Sequence, residues 1–288
     1  MTETTIRKLI PEFLADLETK KRSPSTVIAY RADLQQLEKY LETKNIASIA
    51  QIASGDLATF RDWLLEKKYT PKSASRKLNA LKTFFRWAIS ANHLTSDPSK
   101  DVSHPKIDPS KPKFLSPLEY RALRDIARDD PRISSIIEVI LQTGLRISEV
   151  ANLKVEHVQE EEVHIEAYAT QAERKVPLNK AAKQALDAYI KNHRPEAGSP
   201  HVFVSKNGKP LATRNIRAAI DRFFQKAEIA GYSVNDLRTT FIVENLKRDV
   251  DLVLLSQVAG HKRLSTTERY LELAGVISHG KKQKLEEL

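Results

Sequence analysis

Between Ser96 and Lys113 the chain carries Pro98, Pro105, Pro109 and Pro112 among Ser, Lys and Asp, with few apolar side chains. Proline fixes φ and removes a backbone donor, so such a stretch can continue neither a helix nor a central strand. It reads as a linker. The 288 residues therefore divide into 1–96, a linker at 97–113, and 114–288. Both parts fall in the ordinary size range of a packed core, and the hydrophobic content of 41% can fill two of them.

The first part reads as four helices. Ile6, Leu9, Ile10, Phe13, Leu14 and Leu17 recur at helical spacing, and Ile28, Leu34, Leu37 and Leu41 do so behind Ser25, taken as an N-cap. A third helix is expected after Ser54. A fourth follows Thr70-Pro71, a capping residue with proline at the first helical position. This last segment interleaves Lys72, Arg76, Lys77, Lys82 and Arg86 with Leu78, Leu81, Phe84, Phe85 and Trp87. One face can enter a core while the other meets either solvent or phosphates.

In the second part, helical periodicity covers 117–128, 132–143 and 147–153. An alternating stretch from Val163 to Leu178 then predicts a hairpin. Further helices fit 179–192, 213–229, 235–247, 251–258 and 265–272. The expected fold is mainly α with a small antiparallel β-sheet. On the helix from Thr213, Arg214, Arg217 and Arg222 are candidate DNA contacts, with a solvated face as the alternative.

The net charge of +10 points to an anionic partner, and duplex DNA is the simplest. The first 100 residues hold 17 Lys and Arg against 11 Asp and Glu, so more than half of that charge lies there. The sequence has no cysteine, which excludes disulfides and thiolate metal sites and suits a reducing cytoplasm. No stretch approaches the roughly 20 apolar residues of a membrane span. The reading is a cytoplasmic protein with no membrane partner.

Thr143-Gly144-Leu145-Arg146-Ile147-Ser148-Glu149, Asn235-Asp236-Leu237-Arg238, Val258-Ala259-Gly260-His261, Ser265-Thr266-Thr267 and Tyr270 occur in that order. Together they resemble the catalytic landmarks of the tyrosine recombinase (phage integrase) family, and the chain is Xer-like in size and layout. The resemblance implies an N-terminal helical, SAM-like DNA-binding domain and a catalytic domain, closing on a duplex as a C-shaped clamp. Arg146 and Arg238 would hold the non-bridging oxygens of a phosphodiester, a task suited to a planar, permanently charged fork. His261 would donate a hydrogen bond to the phosphate. Tyr270 would attack phosphorus, leaving a 3′-phosphotyrosyl bond and a free 5′-hydroxyl, so neither cofactor nor metal is implied. The family works as a tetramer on DNA, here expected to be a monomer when free. Its C-terminal segment, which here contains Lys281, Lys282 and Lys284, often docks into a neighbouring protomer. Dimer resolution, mobile-element integration and cointegrate resolution all stay open. A topoisomerase-like relaxing enzyme shares the chemistry but fits the short chain less well.

Two positions depart from the family pattern. Asn235 stands where the family has the histidine that removes the tyrosine proton, and an amide accepts no proton at neutral pH. With Glu173-Arg174-Lys175-Val176-Pro177-Leu178 placed on the hairpin strand, the family's catalytic lysine falls on Ala169. Lys175 is the nearest candidate substitute. A second expectation therefore stands beside recombination: a degenerate relative that keeps the clamp and only binds DNA.

Overall fold

The computed structural model describes residues 4–108, 111–169 and 171–276. The tail carrying Lys281, Lys282 and Lys284 lies outside them. Residues 4–108 with 168–169 form one compact unit, and 111–167 with 171–276 form the other.

The first unit is built from α1 (Ile6–Thr19), α2 (Pro24–Glu42), α3 (Ser54–Glu66) and α4 (Pro71–Ser90). Thr70 caps α4 as expected, its side chain accepting from the Ser73 amide at 3.2 Å, with Pro71 in the first turn. The start of α2 differs from expectation. Ser23, not Ser25, is the N-cap and accepts from Thr26 N, because Pro24 favours extended backbone before it and suits the first helical position. Likewise Ser54 lies inside α3. Its N-cap is Ala53, whose amide is taken by the Asp56 carboxylate at 2.9 Å.

Phe13, Leu34, Leu37, Leu57, Phe60, Leu81, Phe84 and Phe85 fill the core, each fully buried. Each such side chain contributes roughly 1.5–3 kcal/mol of apolar transfer. Phe13 meets Phe84 edge-on at 5.4 Å, which joins α1 to α4. The core also contains Asp33, only 2% exposed. Arg76 grips both its oxygens at 2.6 and 2.9 Å, and Lys77 reaches one at 2.8 Å. This ion cluster binds α2 to α4.

The second unit contains α5 (Pro117–Ala127), α6 (Pro131–Thr143), α7 (Ile147–Asn152), β1 (Glu162–Ile165), β2 (Arg174–Pro177), α8 (Lys180–Asn192), α9 (Thr213–Lys226), α10 (Val234–Leu246), α11 (Leu252–Ala259), α12 (Ser265–Glu268) and α13 (Leu271–Ala274). Helix α6 is apolar nearly all round, with Ile133, Ile136, Ile137, Val139, Ile140 and Leu141 buried. A helix of that kind belongs in the middle of a bundle, and α6 packs against α5, α7, α8, α9 and α10. Strands β1 and β2 pair antiparallel, with Val163 opposite Val176 and His164 opposite Lys175. Val163 and Val176 turn into the core, which decides the register.

Two expected helices change at their ends. The one from Thr213 stops at Lys226, because Glu228 takes a left-handed φ of 56°. The one expected over 265–272 is broken into α12 and α13, and Tyr270 occupies the break. Its amide closes a short turn onto Thr267 O at 3.0 Å, and its carbonyl accepts from Ala274 N at 2.9 Å.

Candidate active site

Gly144 ends α6 in the left-handed conformation, with φ of 65°, its amide returning to Ile140 O. A Cβ there would stand 2.3 Å from Phe241 Cδ1, so both the turn and the packing require glycine. This sharp stop lets the chain restart three residues later as α7, with Arg146 at its N-cap. The Arg146 amide donates to Glu149 Oε2 at 2.8 Å, its Nη1 to Glu149 Oε1 at 2.9 Å, and its Nη2 to Gly260 O at 2.6 Å.

Arg238 projects from α10. Its Nη1 donates to Gly144 O and its Nη2 to Ala259 O at 2.6 Å. The arginine is therefore not the solvent-facing partner of Glu244 or Asp236 that a helix-surface position would make it. Gly260 ends α11 with φ of 65° and delivers His261 directly behind it. His261 Nδ1 lies 2.7 Å from Thr267 Oγ1, and its ring runs parallel to that of Tyr270, 12° apart in plane with centroids 6.4 Å apart.

The hairpin supplies a third guanidinium that sequence reasoning passed over. Arg174 on β2 grips Glu149 bidentately, Nη1 to Oε1 at 2.8 Å and Nη2 to Oε2 at 2.9 Å, while its Nε donates to Val258 O at 2.9 Å. Glu149, the common acceptor of Arg146 and Arg174, has no role assigned by the motif that contains it. The signals were present: Glu149 follows Arg146 by three residues at a helix start, and Arg174 shares a strand face with the buried Val176.

Three cations around one carboxylate leave an excess of positive charge in a partly enclosed site. Burial lowers the Arg238 guanidinium from the ordinary arginine range to about 10, helped by repulsion from Arg146 and Arg174 and opposed by Glu149 and Tyr270. Burial, then Arg238, Arg146 and Arg174, push His261 from 6.5 down to about 4. Its imidazole is neutral at pH 7. Burial raises Glu149, but the Arg174 fork and Arg146 outweigh it and hold the carboxyl below its usual range. The arrangement is an anion receptor beside a phenol.

The departures from the expected pattern are also visible. Asn235 stands in the first turn of α10, one turn before Arg238. Ala169 lies in the segment joining β1 to β2 and adopts a left-handed φ of 52°. Lys175 is not brought to the arginines. It alternates with Arg174 along β2, points outward, and pairs its ammonium with Glu162 at 2.5 Å. Among the described residues, no group of three His, Cys, Asp or Glu side chains is arranged to hold a metal ion.

Of the candidate DNA contacts, Lys72 and Arg86 are exposed along α4. Lys82 is half-buried, with its ammonium on Lys100 O at 3.3 Å. Arg76 remains about half exposed while bound to Asp33, whereas Lys77 is withdrawn, its side chain 11% exposed. On α9, Arg214, Arg217 and Arg222 all lie on the exposed face, opposite the buried Ile216, Ile220 and Phe223. No helix among the described residues is long and apolar enough to cross a membrane.

The profile of the phage integrase family matches residues 113–275, and that of the phage integrase N-terminal SAM-like domain matches residues 10–92. The chain belongs to the phage integrase family. It is 30% identical over 278 residues to tyrosine recombinase XerC of Lactobacillus delbrueckii subsp. bulgaricus, covering 91% of this chain and 93% of that protein. It is 27% identical to tyrosine recombinase XerD of Shewanella oneidensis, with 92% of each chain covered. Among solved structures, it resembles a lambda integrase (75–356) dimer bound to a COC′ core site, with TM-score 0.75, 17% identity, and 91% and 97% of the two chains covered. XerA recombinase is similar at TM-score 0.53 and 23% identity, with 92% and 93% covered.

Proposed function

We propose that this chain is a site-specific DNA recombinase that cuts and rejoins strands through Tyr270. The observation that carries the reading is the cluster of Arg146, Arg238 and Arg174 around the single carboxylate of Glu149, next to the rings of His261 and Tyr270. Such a site has too much positive charge when empty, and a phosphodiester supplies the missing anion. Arg146 and Arg238 bind its non-bridging oxygens and stabilise the charge that builds on the pentavalent transition state.

Tyr270 Oη forms the bond to phosphorus as the bond to the 5′-oxygen breaks. The phenolic proton leaves and the 5′-oxygen gains one, giving a 3′-phosphotyrosyl link and a free 5′-hydroxyl. A 5′-hydroxyl from another strand reverses the step, so one phosphoester is exchanged for another at each stage. Thr267 is fully buried, and His261 Nδ1 is the only partner of its hydroxyl among the described residues. The hydroxyl therefore donates to Nδ1, which leaves the imidazole proton on Nε2, available to a phosphate oxygen. Asn235, whose amide accepts no proton at neutral pH, does not take the Tyr270 proton. That proton and the one for the 5′-oxygen pass through water or the DNA, which makes the reaction slow rather than absent. Loss of one acid or base costs about 10²–10⁴ in rate.

Exposed Lys72, Arg76 and Arg86, the half-buried Lys82, and Arg214 with Arg217 carry the phosphate contacts that place the duplex, while Lys77 serves chiefly as structure. The chain assembles on DNA as a homo-tetramer. A solved lambda integrase tetramer bound to a Holliday junction, similar at TM-score 0.76 and 17% identity, supports that assembly. The absence of cysteine supports a cytoplasmic location.

The test is incubation with nicked duplexes drawn from the DNA flanking the gene, followed by denaturing electrophoresis. A detergent-resistant protein–DNA adduct, absent in Tyr270→Phe, is expected. Tight, retarded DNA without an adduct at every site would instead establish the binding-only relative that Asn235 and Ala169 bring to mind.

A further inference from the structure

The end of α11 presents three consecutive carbonyls, and each is held by a different arginine. Val258 O accepts from Arg174 Nε at 2.9 Å, Ala259 O from Arg238 Nη2 at 2.6 Å, and Gly260 O from Arg146 Nη2 at 2.6 Å. The last carbonyls of a helix lack intrahelical partners and carry the negative end of its dipole, so cations suit them. Three guanidiniums converging on one turn is nevertheless a specific arrangement. It ties Arg238 and Arg146 to Ala259 and Gly260, the two residues that precede His261.

Arg174 differs from the other two in how its donors are used. Its Nε is committed to Val258 O, and one N–H on each Nη to the two oxygens of Glu149. Glu149 then fixes Arg146 twice, through the main-chain amide and through Nη1. The guanidinium also lies against Gly260, where an added Cβ would stand 2.9 Å from its Cζ. Its side chain is only 12% exposed, against 27% for Arg146.

From these contacts we infer that Arg174 is a positioning residue: it sets the Arg146 guanidinium and the α11 terminus in one geometry from the hairpin side, without itself holding phosphate. This rests on the recombinase reading above and names a further member of the same site. Arginine is needed because the task takes a planar fork for the carboxylate and a third donor at the side for the carbonyl. A lysine ammonium keeps the charge and loses that arrangement. The consequence is a division of effects. Binding of duplex, which depends on many phosphate contacts, tolerates the loss of Arg174, whereas the covalent step does not.

Arg174→Lys and Arg174→Gln would be compared with wild type in three measurements: duplex affinity, the single-turnover rate of adduct formation on a nicked duplex, and the ring titration of His261 by NMR. Both variants should form adduct about 10²-fold more slowly, the usual cost of a displacement near 1 Å, with affinity nearly unchanged. The His261 titration should move to higher pH in Arg174→Gln, which removes a repelling cation, and stay near the wild-type value in Arg174→Lys, which keeps one. A purely structural defect would shift neither titration selectively. Wild-type adduct rate in Arg174→Lys would overturn the inference. Should both variants prove poorly folded, Glu149→Gln, which keeps all three arginines and breaks the link between Arg174 and Arg146, replaces them. An adduct rate lowered about 10²-fold at nearly unchanged affinity is expected, and a wild-type rate rejects action through Glu149. If the wild-type protein forms no adduct at all, it is the recombinase reading that fails. The inference is then judged on the titration alone, where superimposed wild-type and Arg174→Gln curves sink it.

Discussion

Gly260 and Arg174 occupy each other's space: the missing Cβ of one is the seat of the other's guanidinium, at 2.9 Å from Cζ and 3.0 Å from Nε. Gly260 also carries a φ of 65° as the C-cap of α11. Gly260→Ala therefore combines left-handed strain of about 1 kcal/mol with a clash against a pinned side chain. A total loss of roughly 2–3 kcal/mol is expected in urea unfolding, together with a slower adduct step. Unchanged stability would show that Arg174 moves aside freely.

Tyr270→Phe removes one oxygen and, with it, the proposed nucleophile. Adduct formation should vanish while duplex affinity and melting temperature stay at wild-type values. A variant that still captured DNA would transfer the role to another residue.

Asn235 and Ala169 stand where the family resemblance would place side chains that transfer protons. Asn235→His places an imidazole one turn from Arg238 on α10, and the cleavage rate should rise by about 10²–10⁴ if proton removal limits it. Ala169→Lys tests the leaving-group side in the same assay. No gain from either, singly or combined, would mean that water already serves both transfers.

His261 gives a signature in pH. Its imidazole titrates near 6.5 when unfolded and about 4 when native, so between these values the unfolded chain carries the extra proton. Its contribution to stability is fully present above pH 6.5 and is lost as pH falls through that window. Burial first, and then the three arginines, hold the imidazole down; a bound phosphate offsets the arginines' share, so DNA should raise its pKa and take up a proton. Duplex affinity at fixed salt should then strengthen from pH 7 to pH 5, and His261→Gln should flatten that dependence. A slope untouched by the substitution would place the titrating group elsewhere.

Asp33, 2% exposed between Arg76 and Lys77, predicts that two neighbouring lysines behave differently. Lys77→Ala strips a partner from a buried carboxylate and should cost about 1–3 kcal/mol of stability, less than full isolation because Arg76 remains. Lys72→Ala should leave stability unchanged and lower the salt dependence of DNA binding by about one unit. Equal effects on stability would contradict the ion cluster.

Much of this protein was legible before folding, because it depends on neighbours in the chain. Helical periodicity, the Thr70-Pro71 start and the alternation from Val163 to Leu178 are local patterns, and they recur in the structure as α1 to α11 and the hairpin. The ordered motifs around Arg146, Arg238, His261 and Tyr270 were equally readable, since their spacing is linear. What the chain order concealed is which side chains share one point in space. Arg174 and Glu149 are 25 residues apart, and Arg146 and Gly260 are 114 apart. Their meeting depends on the packing of α6 in the centre of the unit and on the core-facing register of β2. The same register turned Lys175 outward to Glu162, though it is adjacent to Arg174 in sequence. In a strand, one residue's shift is a change of face, and only the buried Val163–Val176 pair decided which of the two would enter the site. Likewise, the depressed titrations of His261 and Arg238 arise from burial and gathered charge, which no motif states.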